Sequence, residues 1–574
     1  ELSQLKFNER VLEQARDQSA PLLERLKFLC ISCGNLDEFF EIRVGGLKQH
    51  IEYSTGYKTA DDISPSKLLA EIKQQASRLV VEQYNVFNEI IIPSLSEQNI
   101  ELVPREKWTH QQTEWIHKYF TDQVEPVLSP LGIDPGHPFP RILNKSLNFI
   151  VEVGGTDAFG RDGHLAIVQA PRSLPRIIEL PDEDAVSSRY IFLSSIIHAF
   201  VHELFEGLQI HGCYQFRVTR NSDLFVEDEI DDLMLALEGE LASRRYGDAV
   251  RLETSNNTPD HLTQYLLQQF HLTETDLYRV NGPVNLNRLA NIYDLLERPD
   301  LKFPPFTAKL PEPITPESNL FKVIAKEDVL MHHPFQSFAP VISFIHQAAK
   351  DPKVLAIKQT LYRTGAKSRI VDALVQAAEM GKEVTVVIEL MARFDEAANI
   401  TLANRLQKAG AHVVYGIVGI KTHAKMILII RREQGKLVRY AHLGTGNYHQ
   451  STAKLYTDYG MFTSDPKITT DLHEIFLQLT SFTKIPKLEN VLQAPFTLYK
   501  TIVEFIDKEI KRAAKGRKAK IIAQMNSLIE PQLIQALYRA SQAGVEIKLI
   551  VRGQCCFCLL YTSDAADEEA WVGV

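Results

Sequence analysis

Two stretches of the chain repeat one another, and this repeat constrains the fold more than any other feature. Residues 371–388 align with residues 534–551, placing Gly381 on Gly544. The same register pairs Ala373 with Ala536, Leu374 with Leu537, Ala377 with Ala540 and Glu383 with Glu546. Each copy reads as a helix with an apolar face, a glycine stop and a short apolar run with the character of a buried strand. Any two helix–strand units share that outline, so a chance likeness is the alternative. The preferred reading is two tandem α/β domains of one fold.

A chain of 574 residues exceeds what one hydrophobic core organises, and three or four domains are expected. A hydrophobic share of 45% and a charged share of 24% describe an ordinary globular protein. No run approaches the roughly 20 apolar residues of a membrane span. The net charge of −9 argues against a general nucleic-acid binder, although basic residues lining a channel could still hold a polyanion. Six cysteines suggest a reducing compartment. Cys30 and Cys33 have C-x-x-C spacing but sit in an apolar helical run, where buried packing is expected rather than redox or zinc chemistry.

The expected fold class is multidomain, α and α/β. Residues 1–99 form an N-terminal helical domain, with Leu22, Leu23, Leu26, Leu29 and Cys30 at helical spacing. Residues 100–309 form a middle α+β domain with strands at Leu147–Val153 and Leu165–Val168, and a proline-rich linker closes it. Residues 310–490 form a first α/β domain. Its strands are expected at Val354–Ile357, Val384–Leu390, His412–Tyr415, Met426–Ile430 and Val438–His442, and its helices at Ile370–Glu379 and Asp395–Ala409. Residues 491–556 begin a second such domain.

Chemistry concentrates between Arg363 and Asp458. In Lys421-Thr422-His423-Ala424-Lys425, His423 and Lys425 stand two apart at an expected strand start, so both would face one side. The imidazole can attack phosphorus while Lys425 holds a phosphate oxygen. Downstream, Gly444-Thr445-Gly446-Asn447 is a turn whose backbone N–H groups can approach an anion. Arg363 and Arg393 each follow an expected strand, at the carboxyl ends where ligands of open α/β sheets gather. For each arginine the plain alternative is a salt bridge, and Asp395 could supply one to Arg393. The H-x-K followed by a G-[ST]-G-N turn resembles the phospholipase D superfamily, which implies two phospholipase D-like domains here, the second incomplete.

More widely, the chain resembles the long, four-domain polyphosphate kinases. The likeness runs through Phe7-Asn8-Glu9-Arg10, Asn35-Leu36-Asp37-Glu38-Phe39, Leu361-Tyr362-Arg363, Glu389-Leu390 and Ala392-Arg393-Phe394-Asp395-Glu396. It continues through Lys421–Lys425, His442–Asn447, Leu455-Tyr456-Thr457-Asp458-Tyr459 and Val551-Arg552-Gly553. Gln4 departs from it, because the family usually has Trp there. The resemblance implies reversible transfer of the terminal phosphate of ATP to inorganic polyphosphate, with His423 as the residue phosphorylated. Asn35, Tyr456 and Arg552 match ATP-binding positions. A packed aromatic is the plain alternative for Tyr456, and a helix N-cap for Asn35. Arg363 and Arg393 match positions around Mg²⁺. A guanidinium has no lone pair for a metal, so they read as clamps on phosphates that Mg²⁺ also touches. Asn447 would contact phosphate from its turn. The family also implies ADP as coproduct, a homo-oligomer (dimer or tetramer), no nucleic-acid partner, and a cytoplasmic place, with peripheral association at the inner membrane face open.

The seven basic residues Lys508, Lys511, Arg512, Lys515, Arg517, Lys518 and Lys520 could line a polyanion path, but a solvated face is the expected reading. The start at Glu1 without methionine suggests that natural residues precede it. His423 follows Gly381 by 42 residues, and the same interval after Gly544 reaches position 586, beyond this chain. A second-domain histidine is therefore expected to be missing, which leaves the activity of the chain as written open. Residues 557–574 resemble nothing in the family and read as foreign or frameshifted. A phospholipase D-like phosphodiesterase is the competing function, and it needs a second H-x-K.

Overall fold

The structure, a computed structural model, describes residues 1–52, 63–134, 136, 138–156, 160, 162–181, 187–222, 247–363, 365, 368–392, 395–417, 420–481 and 483–557. The chain divides into two compact units. The first comprises Glu1–Asp223, Ser243–Pro304 and Glu509–Val574, and the second Leu224–Ala242 and Pro305–Lys508.

In the first unit, helices α1 (Leu2–Arg16), α2 (Leu22–Phe39) and α3 (Pro65–Asn85) carry the leading helical region. The Ser64 hydroxyl accepts from the Lys67 N–H and Pro65 opens the first turn of α3, a pairing that satisfies one orphan donor and removes another. The leucine stripe of α2 packs into the main core with Cys30 and Cys33. Burial pushes the Cys30 thiol up to about 12 and raises Cys33 as well, so both behave as small apolar groups. Asn35 lies inside α2 rather than at its start, which removes the N-cap alternative.

The middle region folds as a six-stranded sheet. Its strands are β1 (Leu131–Ile133), β2 (Asn148–Thr156), β3 (Asp162–Gln169), β4 (Gln209–Arg220), β5 (Ala249–Ser255) and β6 (Leu277–Val280), in the order β1-β3-β2-β4-β5-β6. All neighbours are antiparallel except β5 and β6.

The second unit is built on seven strands: β7 (Val329–His333), β8 (Val354–Leu361), β9 (Glu383–Ile388), β10 (His412–Tyr415), β11 (Lys425–Glu433), β12 (Lys436–Gly444) and β13 (Asp458–Thr463). Their order is β7-β13-β12-β11-β8-β9-β10, parallel from β8 to β10 and antiparallel elsewhere. Helices α4 (Ala339–Lys350), α5 (Arg369–Glu379), α6 (Glu396–Lys408) and α7 (Pro466–Thr480) accompany the sheet. Ile427 and Ile429 of β11 share a core with α4, α5 and α6, while Met426 and Leu428 share another with Leu472 and Phe476 of α7. Burial on both faces explains why β11 reads as one continuous apolar run. Strands β7 and β13 had no clear sequence signal. Each carries charged or histidine residues, and β13 contains Gly460, which sequence rules count against a strand. Glycine is required there because a Cβ would stand 2.7 Å from His442 Nε2.

The repeat is realised in both units. Helix α5, Gly381 at φ +79° and β9 form the first copy. In the first unit, α8 (Pro531–Gln542), Gly544 at φ +84° and the last strand form the second. There β14 (Lys520–Met525) and β15 (Glu546–Val551) pair in parallel. Both glycines end their helices in the left-handed region, where a side chain is disfavoured. Beyond β15, Phe557 stacks on Tyr538 at 4.5 Å. The remainder of the stretch expected to be foreign lies outside the described residues. All seven residues of the basic run are exposed. Among the described residues no helix is long and apolar enough to cross a membrane.

Candidate active site

The H-x-K segment sits between two anchors at the carboxyl ends of β8 and β9. The Thr360 hydroxyl donates to the Ala424 carbonyl at 2.7 Å and accepts from the Met426 N–H at 3.0 Å. Glu389, buried just after β9, accepts from the Thr422 N–H at 2.7 Å and the Met391 N–H at 3.0 Å. The backbone on both sides of His423 is thereby fixed. Strand β11 begins only at Lys425, so His423 precedes the strand, and the pair does not share a face through strand alternation. Tyr362 organises them instead. The His423 ring meets the Tyr362 ring edge-on at 4.9 Å, and Lys425 Nζ lies 5.4 Å from the Tyr362 centroid while donating to the His423 carbonyl at 2.5 Å.

Electrostatics follow from this packing. Partial burial, then the charges of Lys425, Arg363 and Lys421, depress the His423 imidazole to about 4, although part of its side chain reaches solvent. Lys425 is buried and brought down to about 8, chiefly by desolvation, with Asp458 pulling the other way. At neutral pH the histidine is therefore uncharged, with a ring lone pair, beside cations. Arg363 pairs with Asp395 at 3.0 Å. The pair is partly exposed and is worth at most about 1 kcal/mol, so an incoming phosphate can take the guanidinium over at little cost. Asp395, the partner anticipated for Arg393, thus pairs with Arg363, and Arg393 lies outside the described residues.

The glycine turn adjoins this centre because Lys425 pairs with Gly444 across β11 and β12. The Thr445 hydroxyl donates to Asp458 at 2.8 Å and accepts from the Tyr459 N–H. A Cβ on Gly446 would stand 2.3 Å from the Asp458 carboxylate, so the turn closes on Asp458 only with glycine. Asn447 Oδ1 is buried without a hydrogen-bond partner. Beneath the turn, His442 is fully enclosed, shares a hydrogen bond with the Tyr448 hydroxyl, and is driven down to about 3 by burial and then by His333. Tyr362, Thr360, Glu389, Asp458 and His442 were not singled out from sequence. All but Thr360 stand in motifs visible in the sequence, but which member faces the centre depends on strand pairing.

Tyr456 belongs to the second unit and has an exposed ring. Asn35 and Arg552 belong to the first. Asn35 lines a cleft of about 390 Å³ with Gln4, Phe7, Asn8 and Glu38, and donates to Asn8 Oδ1. Arg552 directly follows β15. Next to it, the Gly553 carbonyl accepts from Arg10, and Gln554 donates to Gln4 at 2.8 Å. Gln4, the departure from the family pattern, therefore takes part in a bond that ties α1 to the segment after Arg552. Among the described residues no cluster of three or more His, Cys, Asp or Glu side chains could hold a metal. The cationic set fits a Mg²⁺ that arrives on phosphate oxygens better than one in a protein cage.

Fold and site together describe a multidomain α/β protein whose centre is shaped for a phosphate-like anion. Models of four polyphosphate kinase domains match the chain: N-terminal at residues 1–103, middle at 111–292, C-terminal domain 1 at 319–485 and C-terminal domain 2 at 491–563. The polyphosphate kinase of Pseudomonas aeruginosa is 56% identical over 97% of this chain and 81% of its own length. That of Neisseria meningitidis is 52% identical over the same shares. The crystal structure of polyphosphate kinase from Porphyromonas gingivalis superposes with a TM-score of 0.82 at 28% identity, covering 97% of this chain and 80% of that one. The chain belongs to the polyphosphate kinase family, and it is a phosphotransferase.

Proposed function

We propose that the chain moves the terminal phosphate of ATP to inorganic polyphosphate, reversibly, through a phosphohistidine at His423. The observation that carries this is the placement of His423 on a backbone fixed by Thr360 and Glu389, with the Lys425 ammonium on its carbonyl and its imidazole depressed to about 4. In the first step a ring nitrogen bonds to the γ-phosphorus while the bond to the β–γ bridging oxygen breaks, and ADP leaves with that electron pair. In the second, a terminal oxygen of the polymer bonds to the same phosphorus and the N–P bond breaks, restoring the imidazole. Lys425, Arg363 and Arg393 offset the charge of the phosphoryl oxygens, which is the main demand of such transfers. Asn447 contributes from the glycine turn. Tyr456 stacks on adenine, and Asn35 and Arg552 contact the nucleotide. Mg²⁺, when bound to the phosphates beside Arg363 and Arg393, would supply further charge neutralisation.

The test is incubation with γ-labelled ATP and Mg²⁺. An acid-labile, base-stable label on the protein that chases into polyphosphate supports the reading. Phosphodiester cleavage without such a label would replace it with the phospholipase D-like alternative. Tyr456→Ala should raise KM for ATP about tenfold with little change in kcat, read from steady-state kinetics, as expected for lost stacking of about 1–3 kcal/mol.

A pH dependence follows from Lys425. Its ammonium is needed on the phosphate, and its pKa of about 8 means that the charge is lost as pH rises through 8. The second-order rate of His423 labelling should therefore fall above about pH 8. Lys425→Arg should move that limb upward, because a guanidinium does not deprotonate in this range. A limb that stays in place in Lys425→Arg would assign it to another group.

A further inference from the structure

The first unit holds a cluster of arginines with no matching carboxylates among the described residues. Arg172, Arg176, Arg288 and Lys145 line two adjoining spaces, an open cleft of about 960 Å³ and a narrower one of about 480 Å³. Lys145 is matched by Glu41 at 2.8 Å, which leaves three guanidiniums. Among the described residues none of the three makes an ion pair, and the Arg288 side chain makes no hydrogen bond. Arg172 and Arg176 donate only to the carbonyls of Asn144 and Ala170. Arg176 Nη1 is buried without a partner, and so is Asn285 Oδ1 in the same narrow space. Burial, then Arg288 and Arg172, bring the Arg176 guanidinium down to about 10, so each positive charge disfavours the next. An arrangement of this kind costs free energy unless an anion completes it.

We infer that this cleft is a binding site for a polyphosphoryl anion, a segment of inorganic polyphosphate held by Arg172, Arg176 and Arg288. The identity of the anion rests on the proposed function, while the site itself rests on the cleft and its charges. Planar guanidiniums suit phosphate oxygens bidentately, and three of them suit several consecutive phosphates rather than one. The larger space has no aromatic lining on which a base could stack, which favours a bare chain over a nucleotide.

The test is calorimetric binding of tripolyphosphate, inorganic phosphate and ATP to the full chain carrying His423→Ala. Because ATP also meets the nucleotide contacts proposed above, the cleft is read from the part of each affinity that the arginine variants remove. That part should be larger for tripolyphosphate than for inorganic phosphate or ATP and should fall as salt is raised. Arg176→Gln with Arg288→Gln should weaken tripolyphosphate about tenfold or more, while Arg176→Lys keeps part of the affinity. Should the double variant fail to fold, Arg288→Gln alone serves, since its side chain holds no hydrogen bond to lose. Unchanged tripolyphosphate affinity in these variants overturns the site, and so does an equal loss of affinity for inorganic phosphate or for ATP. ATP labelling of His423, measured in the arginine variants with His423 intact, should be unchanged. Its failure in the parent chain would count against the phosphohistidine and not against the cleft.

Discussion

Replacing His423 with alanine should abolish the acid-labile label on the protein and lower polyphosphate synthesis by about 10⁴-fold or more, as loss of a covalent nucleophile does. The expectation rests on how few substitutes the centre offers. Lys425 is the amine held on the His423 carbonyl, but with a pKa of about 8 it is largely protonated at neutral pH and has no lone pair to give. His442 is neutral, yet it is enclosed beneath the turn and bonded to Tyr448. Lys425→Ala should therefore keep a label that forms more slowly, whereas His423→Ala should show none. A label of undiminished intensity in His423→Ala would move the covalent step elsewhere. Acid should not extinguish labelling early, because an imidazole held near 4 stays neutral until the pH falls to that region.

The helix–glycine–strand repeat was legible because its signals are local. An apolar helical stripe, a glycine that must turn left-handed and a buried strand all lie within 18 residues, and both copies fold accordingly. The H-x-K and the glycine turn were legible for the same reason. What the sequence hid was pairing. Lys425 meets Gly444 only through the register of the β11–β12 hairpin, and His333 meets Asp458 only through an antiparallel register joining strands far apart in the chain. Glu389 carries no local sign that it will brace Thr422, since that contact needs β9 and β11 on either side of β8. The Asn35–Phe39 motif shows the limit most clearly. Its residues carry the family resemblance together, yet Asn35 lines a cleft while Asp37, two positions on, is buried among arginines.

That burial predicts the largest loss of stability. Asp37 on α2 accepts two hydrogen bonds from Arg217 of β4, at 2.8 and 2.9 Å, and lies 3.3 Å from Arg251 of β5. Glu253 of β5 completes the set, so two carboxylates match two guanidiniums with side chains at most 7% exposed. The network ties the helical region to the six-stranded sheet within the first unit. Burial alone would raise the Asp37 pKa, but Arg217 and then Arg251 outweigh it and hold the carboxyl below its ordinary range. Asp37→Asn leaves one carboxylate for two buried guanidiniums and should cost about 3–5 kcal/mol, seen as a lower denaturant midpoint for the first unit. The sign with pH is fixed by the depressed pKa. The contribution is fully present above the unfolded value of 3.8 and is lost as pH falls through the folded value. The gap between parent and variant should thus be widest near neutrality and close in strong acid. A gap under about 1 kcal/mol at neutral pH, or one that does not shrink in acid, would show that the pairing contributes little and that packing holds these elements together.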